Sequence, residues 1–151
     1  MKNEKLLKDM QAIVTGLSGN SIAHAFQAKI FNAQGFTKLA EKYEEHATEE
    51  RDFVEKYVDR IMDLGGKIVL EDIKGQPLYT DIIDYLKSEE KISVDGITLV
   101  EKMMKDNEMD VVTYDLFKEY VADEYEDLYW TQQQLDLIDM IGKENYLTKQ
   151  L

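Results

Sequence analysis

Apolar residues recur every three or four positions along four long stretches of the chain, the spacing that places side chains on one face of an α-helix. These stretches cover residues 3–34, 37–64, 81–107 and 109–140, and a glycine follows the first, second and fourth. Glycine is common just after a helix C-terminus. Residues 65–80 carry turn signals and no helical period. The pattern predicts four helices in two hairpins joined by a long crossover, which is a four-helix bundle, with a short helix in the terminal "KENYLTKQL".

Two glutamates interrupt the apolar stripes that should face the core. Glu50 lies at the centre of the stripe of the second stretch, and Glu124 lies in the fourth between Val121 and Leu128. An isolated ionised carboxylate in a core is costly, whereas a bound metal ion removes that cost. Asp127 follows Glu124 by three residues and therefore shares its helix face. The sequence predicts that these three carboxylates converge on a metal ion.

Both histidines also lie on core-facing stripes, His24 in the first stretch and His46 one turn before Glu50. If the first two helices form an antiparallel hairpin that turns at Gly35, a residue of one helix lies at the same height along the bundle as a residue of the other when their two numbers sum to about 67. This places His46 beside Ser21 and within about one turn of His24. A histidine in a core is more often structural than a ligand, but two of them beside a buried glutamate favour metal binding.

Oxygen ligands combined with imidazole suit iron, manganese or zinc. Glu89 and Glu90, at the edge of the third stripe, are further candidate ligands. The chain contains no cysteine, which excludes both a thiolate metal site and a disulfide framework.

Acidic residues outnumber basic ones by 31 to 18, for a formal net charge of −13. This field repels a phosphate backbone and attracts cations, so we expect metal ions and no nucleic acid as partners. No apolar run approaches the ~18 residues that span a bilayer, and the first ten residues lack the apolar centre of a signal peptide. We therefore expect a cytoplasmic protein without a membrane partner.

Several stretches resemble bacterioferritins. "ADEYEDLYWTQQQLDLIDMIGKENYLTKQL" (122–151) is similar to their fourth and fifth helices, and "AKIFNAQGFTKLAEKYEE" (28–45) with "VEKYVDRIMDLGG" (54–66) is similar to their first hairpin. The resemblance implies an all-α, ferritin-like four-helix bundle in one domain over residues 1–151, with a long crossover and a short fifth helix. It further implies a homo-oligomeric cage that oxidises Fe(II) at a dinuclear site in each bundle and stores ferric mineral.

The ligand positions of the family are only partly kept. Its dinuclear site uses a Glu on helix one, Glu-x-x-His on helix two, a Glu on helix three and Glu-x-x-His on helix four. Glu50 and Glu124 keep two of these positions, and Asp127 replaces one histidine. The other three positions hold Leu17, Phe53 and Ser93. Leucine and phenylalanine cannot bind a metal, so the resemblance implies a site that is reduced, or displaced toward His24 and His46.

The methionine that binds haem in bacterioferritins aligns with Arg51. A guanidinium does not ligate haem iron, so we expect no haem by this route. The expected cofactor is iron or another divalent metal.

Three functions stay open at this point. The first is an iron-storage cage subunit with weak Fe(II) oxidation, the second a ferritin-like shell without redox chemistry, and the third a bundle enzyme that uses metals for another reaction. The buried Glu50 and Glu124 favour the first and third, because an apoprotein must keep both acids neutral or hydrogen-bonded. The match in the terminal helices favours the first. Four changed ligand positions leave the status as an enzyme open.

Overall fold

The computed structural model describes residues 3–151, which form five helices and, within that range, no strand. The helices are α1 (Glu4–Ala33), α2 (Thr37–Asp63), α3 (Ile82–Asp106), α4 (Val111–Ile141) and α5 (Lys143–Thr148). α1 packs against α2, α3 packs against α4, and α5 packs against α4. The predicted all-α bundle with a long crossover and a short fifth helix is confirmed. None of the helices in the described range is long and apolar enough to cross a membrane.

Local chemistry fixes the helix ends. The side chains of Asn3, Asp81 and Asp110 each accept a hydrogen bond from a backbone N–H in the first turn of the helix that follows, which is the common N-cap arrangement. The α1–α2 turn contains Gly35, at φ 87°, and α4 ends at Gly142, at φ 85°. Glycine adopts this left-handed conformation without the steric cost that a Cβ atom brings.

The crossover runs along α1 and is held by two glutamine side chains. Gln11 bonds to Val69 in both directions, donating to its carbonyl over 2.9 Å and accepting from its N–H over 3.1 Å. Gln27 does the same with Tyr79, over 2.8 and 3.0 Å. Positions 11 and 27 are about 24 Å apart along a helix. The segment therefore crosses most of the bundle before α3 begins.

Two apolar core clusters occupy opposite ends of the bundle. The first core cluster includes Leu17 of α1, Phe53 of α2, Val100 of α3 and Tyr120 of α4. The second core cluster consists of Ala28, Phe31, Leu39, Tyr43, Ile82, Tyr85, Leu86, Ile138 and Tyr146. On each of the four long helices, a stretch with buried or half-buried polar side chains separates the two clusters, although Ile97 and Leu128 are also buried there. Those stretches face one another and form the layer in which the candidate site lies.

Candidate metal centre

The layer between the two core clusters contains the five principal ligand candidates from the sequence, which are His24, His46, Glu50, Glu124 and Asp127. His24 lies on α1 between Leu17 and Ala28, and His46 and Glu50 lie on α2 between the two clusters. Glu124 and Asp127 lie at the matching level of α4. The predicted alignment of α1 with α2, which placed His46 beside Ser21, is also confirmed, because the Ser21 hydroxyl donates a hydrogen bond to the Ala47 carbonyl over 2.8 Å. The antiparallel packing of the helices therefore brings these residues into one region.

A central triad forms where α1, α2 and α3 meet. His24 places its imidazole between two carboxylates, with Nδ1 hydrogen-bonded to Glu50 and Nε2 2.9 Å from an oxygen of Glu89. All three side chains are about nine-tenths buried. Of the two candidates at the edge of the third stripe, Glu89 joins the site. Glu90 lies in a separate groove between α3 and α4, together with Lys87 and Asp136.

Charge holds the central triad together. Burial alone would lower the pKa of His24, but the carboxylates of Glu89 and Glu50 outweigh burial and hold that pKa well above its ordinary value. Burial raises the pKa of Glu50, and the positive charge of His24 opposes that rise. Burial would also raise the pKa of Glu89, yet His24 and the Tyr85 hydroxyl bring it below its usual range. An imidazolium thus neutralises buried carboxylate charge at neutral pH.

Glu124 approaches the same region from α4 without a cation of its own. Burial raises its pKa to about 8, with further increases from the negative charges of Glu50 and Asp123. A carboxyl group with this pKa is mostly protonated at pH 7 in the absence of a bound cation. Its ionised form would be stabilised by a divalent ion in the layer.

His46 is a buried imidazole without a hydrogen-bond partner at Nε2. Its ring lies 5.7 Å from that of His24, centroid to centroid. Nε2 is 3.3 Å from Oδ1 of Asp127, but this contact lacks the alignment of a hydrogen bond. Burial, followed by the positive charges of His24 and Lys42, lowers the pKa of His46 to about 3. His46 is therefore neutral at pH 7, as a metal ligand must be.

At the edge of the layer, on α2 and α4, two further carboxylates crowd together with Asp127. Glu49, Asp123 and Asp127 each bring an oxygen within 4.8 Å of the others, and we call them the flank cluster. Burial, Asp123 and Glu45 raise the pKa of Glu49 to about 7. Burial, Asp123 and Glu124 raise the pKa of Asp127 to about 8. Sequence reasoning missed Glu49 and Asp123, and the only signal for them is their place directly before Glu50 and Glu124.

Three of the six positions that the family uses for its ligands hold neither a carboxylate nor an imidazole in this chain. Leu17 and Phe53 are part of the first core cluster, and the Phe53 ring packs edge-on against Tyr120 at 5.2 Å. Ser93 is buried one turn after Glu89. The family's dinuclear centre does not fit apolar packing of this kind. Carboxylate and imidazole groups instead concentrate one to two turns away, toward the hairpin end of α1 and α2.

Comparisons with known proteins agree with this architecture. Residues 9–141 match the family model of the Ferritin-like domain. The chain is 28% identical to a bacterial ferritin of Neisseria meningitidis serogroup B, covering 99% of this chain and 98% of that protein. It is 29% identical to a bacterial ferritin of Pseudomonas aeruginosa, covering 94% of each, and 28% identical to a bacterioferritin of Brucella melitensis, covering 78% and 74%. The resemblance drawn from the sequence is confirmed.

Proposed function

Because the chain belongs to the Ferritin-like domain family, we propose that it is a subunit of an iron-storing homo-oligomeric cage in the cytoplasm. Relatives named bacterial ferritin align over nearly the whole chain, which supports a storage role. The excess of acidic residues supports it as well, since a charge of −13 concentrates cations at the protein surface.

The metal site of this subunit, in our proposal, is displaced from the position usual in bacterioferritins. Its ligands are His24, Glu50, His46, Glu124 and Asp127, with iron as the cargo. The observation that carries this proposal is the set of contacts in the polar layer. His24 is hydrogen-bonded to Glu50, its ring lies 5.7 Å from that of His46, and His46 Nε2 lies 3.3 Å from Asp127, while Glu124 is close enough to Glu50 for their charges to interact. Such a concentration of acids and imidazoles in a core is costly unless charges or protons compensate it.

Binding at the displaced site is coupled to proton release. A metal ion that uses Glu50 and His24 displaces the proton that the central triad holds, because a ligating imidazole must be neutral. This cost is the physical reason to expect weak Fe(II) oxidation rather than the full activity of a dinuclear centre. We also expect no haem at Arg51, whose exposed side chain offers a guanidinium where a soft ligand is needed.

The test combines the size of the particle with its iron chemistry. The purified protein is sized by light scattering, Fe(II) is added under air, and Fe(III) formation is followed by absorbance. We expect a large, uniform assembly that oxidises Fe(II) above the rate without protein. A parallel Zn(II) titration should show lower binding stoichiometry for Glu50→Ala than for wild type, and no change for Glu44→Ala at an exposed site on α2.

Two results contradict the proposal. A monomer in solution rejects the cage, and equal Zn(II) stoichiometry in wild type and Glu50→Ala rejects the displaced site. Circular dichroism of Glu50→Ala shows whether its helices form, and Glu50→Gln, which keeps the size of the side chain, replaces it if they do not.

One observation favours a second candidate function, a ferritin-like shell without redox chemistry. The imidazolium of His24 already neutralises part of the charge of Glu50 and Glu89 inside the bundle. On this alternative the polar layer is structural, the assembly has the same size, and added Fe(II) is oxidised no faster than in buffer.

A further inference from the structure

An acidic groove leads from solvent to the flank cluster between α2 and α4. Besides Glu49 and Asp123, its walls include Asp52, Glu119 and Glu126, together with Lys56. Lys56 is already paired with Glu119 over 2.9 Å. The groove therefore presents an excess of negative charge that raises the local concentration of cations.

Nothing in the described part of the chain balances the charge of the flank cluster itself. Among residues 3–151, no lysine or arginine forms a salt bridge with Glu49, Asp123 or Asp127. Lys42, whose charge acts on Glu49 and Asp123 without a salt bridge, has its ammonium group over the Trp130 ring, 5.0 Å from the centroid. The three carboxylates thus depend on protons or on an added cation.

Crowded acids alone do not make a metal site, but His46 supplies a separate indication. Its side chain is 95% buried, with 5% of its surface exposed, and its Nε2 lacks a hydrogen-bond partner. That nitrogen faces Asp127 at 3.3 Å. Two ligands at neighbouring positions on one cation, each bound at about 2.1 Å, lie roughly 3.0–3.4 Å apart. The separation fits a nitrogen and an oxygen that share one ion.

We propose that Glu49, Asp123, Asp127 and His46 form a mononuclear site for a divalent cation such as Fe²⁺, Mn²⁺ or Zn²⁺. Three carboxylate oxygens with one imidazole nitrogen are a donor set that suits these ions. The site deepens the proposed function, on which it rests for the roles of His46 and Asp127. It assigns Glu49 and Asp123 as ligands and makes the mouth of the groove a binding position distinct from the central triad.

The flank cluster differs from the central triad in a way that favours cation binding. In the triad, both ring nitrogens of His24 are already engaged by carboxylates, whereas Nε2 of His46 has no hydrogen-bond partner. One oxygen of each carboxylate in the flank cluster already lies within 4.8 Å of the other two, which brings three potential ligand atoms into one small region. The flank site should therefore fill first as the metal concentration rises.

Cobalt(II) is the probe for the test, because its visible absorption reports the ligands that surround it. The purified assembly is titrated with Co²⁺ at pH 7.5, and binding is followed by absorbance and calorimetry. Glu49→Gln/Asp123→Asn should bind one Co²⁺ fewer per chain, or bind its first Co²⁺ at least about tenfold more weakly. Losing even an outer-shell partner weakens metal affinity about 10- to 100-fold.

Further variants separate this site from general charge and from the central triad. Glu44→Gln/Asp115→Asn removes the same charge from exposed positions of α2 and α4 and should bind Co²⁺ like wild type. His46→Gln should still bind Co²⁺ but with an altered absorption band. Folding is monitored by thermal melting of the apoprotein, where Glu49→Gln/Asp123→Asn should match or exceed wild type because repulsion is relieved.

Two results would overturn the proposal. One is unchanged Co²⁺ stoichiometry and affinity in Glu49→Gln/Asp123→Asn. The other is loss of the first Co²⁺ in Glu89→Gln with no loss in Glu49→Gln/Asp123→Asn, which would assign the tight site to the central triad and leave the storage function standing.

Discussion

The central triad and the flank cluster both bring carboxylates together within the bundle, but they differ in what compensates the negative charge. In the triad, two carboxylates flank a histidine that supplies the compensating positive charge from within the protein. In the flank cluster, three carboxylates meet beside a histidine that is neutral. The difference follows from position, because His24 lies between its acids while His46 contacts a carboxylate on one side. A region with its own cation has part of its charge balanced before any metal binds, whereas a region without one depends on protons or on an added cation.

Removing His24, the internal cation of the central triad, should have the largest effect on stability. His24→Leu leaves Glu50 and Glu89 buried without their partner, and we expect the free energy of unfolding of the apoprotein to fall by about 3–5 kcal/mol, as when one partner of a buried ion pair is lost. Urea denaturation at pH 7, followed by circular dichroism, measures the change.

A second variant tests whether the loss of stability in His24→Leu comes from the unpaired carboxylate charges. His24→Leu/Glu50→Gln/Glu89→Gln removes the carboxylate charges together with the imidazole, and should recover a substantial part of the lost stability. A loss of less than about 1 kcal/mol in His24→Leu would mean that the imidazolium does not carry the charge balance of the triad.

The next effect is a fall in apoprotein stability as pH rises. The pKa of Glu124 is about 8 and that of Glu49 about 7, against ordinary values near 4.5, and Asp127 rises from 3.8 to about 8. The folded protein therefore holds protons that the unfolded chain releases, so stability decreases between about pH 4 and 8. The raised pKa of His24 acts in the same direction, since its contribution is complete below pH 6.5 and is lost as pH rises through the folded-state pKa.

Urea denaturation at pH 5.5, 7 and 8.5 tests this linkage. We expect a total loss on the order of a few kcal/mol. Saturating Zn²⁺ should reduce the loss, because a bound cation takes over the role of the protons. Stability of the metal-free protein that rises steadily from pH 5.5 to 8.5 would contradict the assigned pKa directions.

The sequence was sufficient for the helices and for part of the site. Apolar periodicity is a property of each helix alone, so it predicted the four long helices, and the hairpin geometry at Gly35 correctly brought His24 close to His46. The same periodicity missed Glu49 and Asp123, which stand one position off their stripes. Their burial depends on how closely α2 approaches α4, and the pattern of a single helix does not encode that distance.

The sequence also could not identify the group that compensates the negative charge of Glu50. A glutamate at the centre of an apolar stripe predicts that something neutralises it, and a metal ion was the interpretation drawn from Glu50. The structure shows that the imidazole of His24 reaches the same carboxylate, and the raised pKa of His24 favours its charged form. Spacing along the chain cannot distinguish these two, because the distance from His24 to Glu50 and Glu89 is set by the packing of three helices.

The smallest predicted effect concerns Lys42, a positive charge that acts on the flank cluster. Lys42 lowers the pKa values of both Glu49 and Asp123 from a distance and so repels any cation that binds there. Lys42→Met should therefore tighten Co²⁺ binding by about two- to fivefold at low salt, equivalent to roughly 0.5–1 kcal/mol. The gain should shrink in 0.5 M salt, where the screening length falls to about 4 Å. Lys29→Met, an exposed control on α1, should leave Co²⁺ affinity unchanged. If Lys42→Met and Lys29→Met behave alike, cation affinity at the flank cluster does not respond to the charge of Lys42, and the contrast between a compensated triad and an uncompensated flank cluster loses its electrostatic basis.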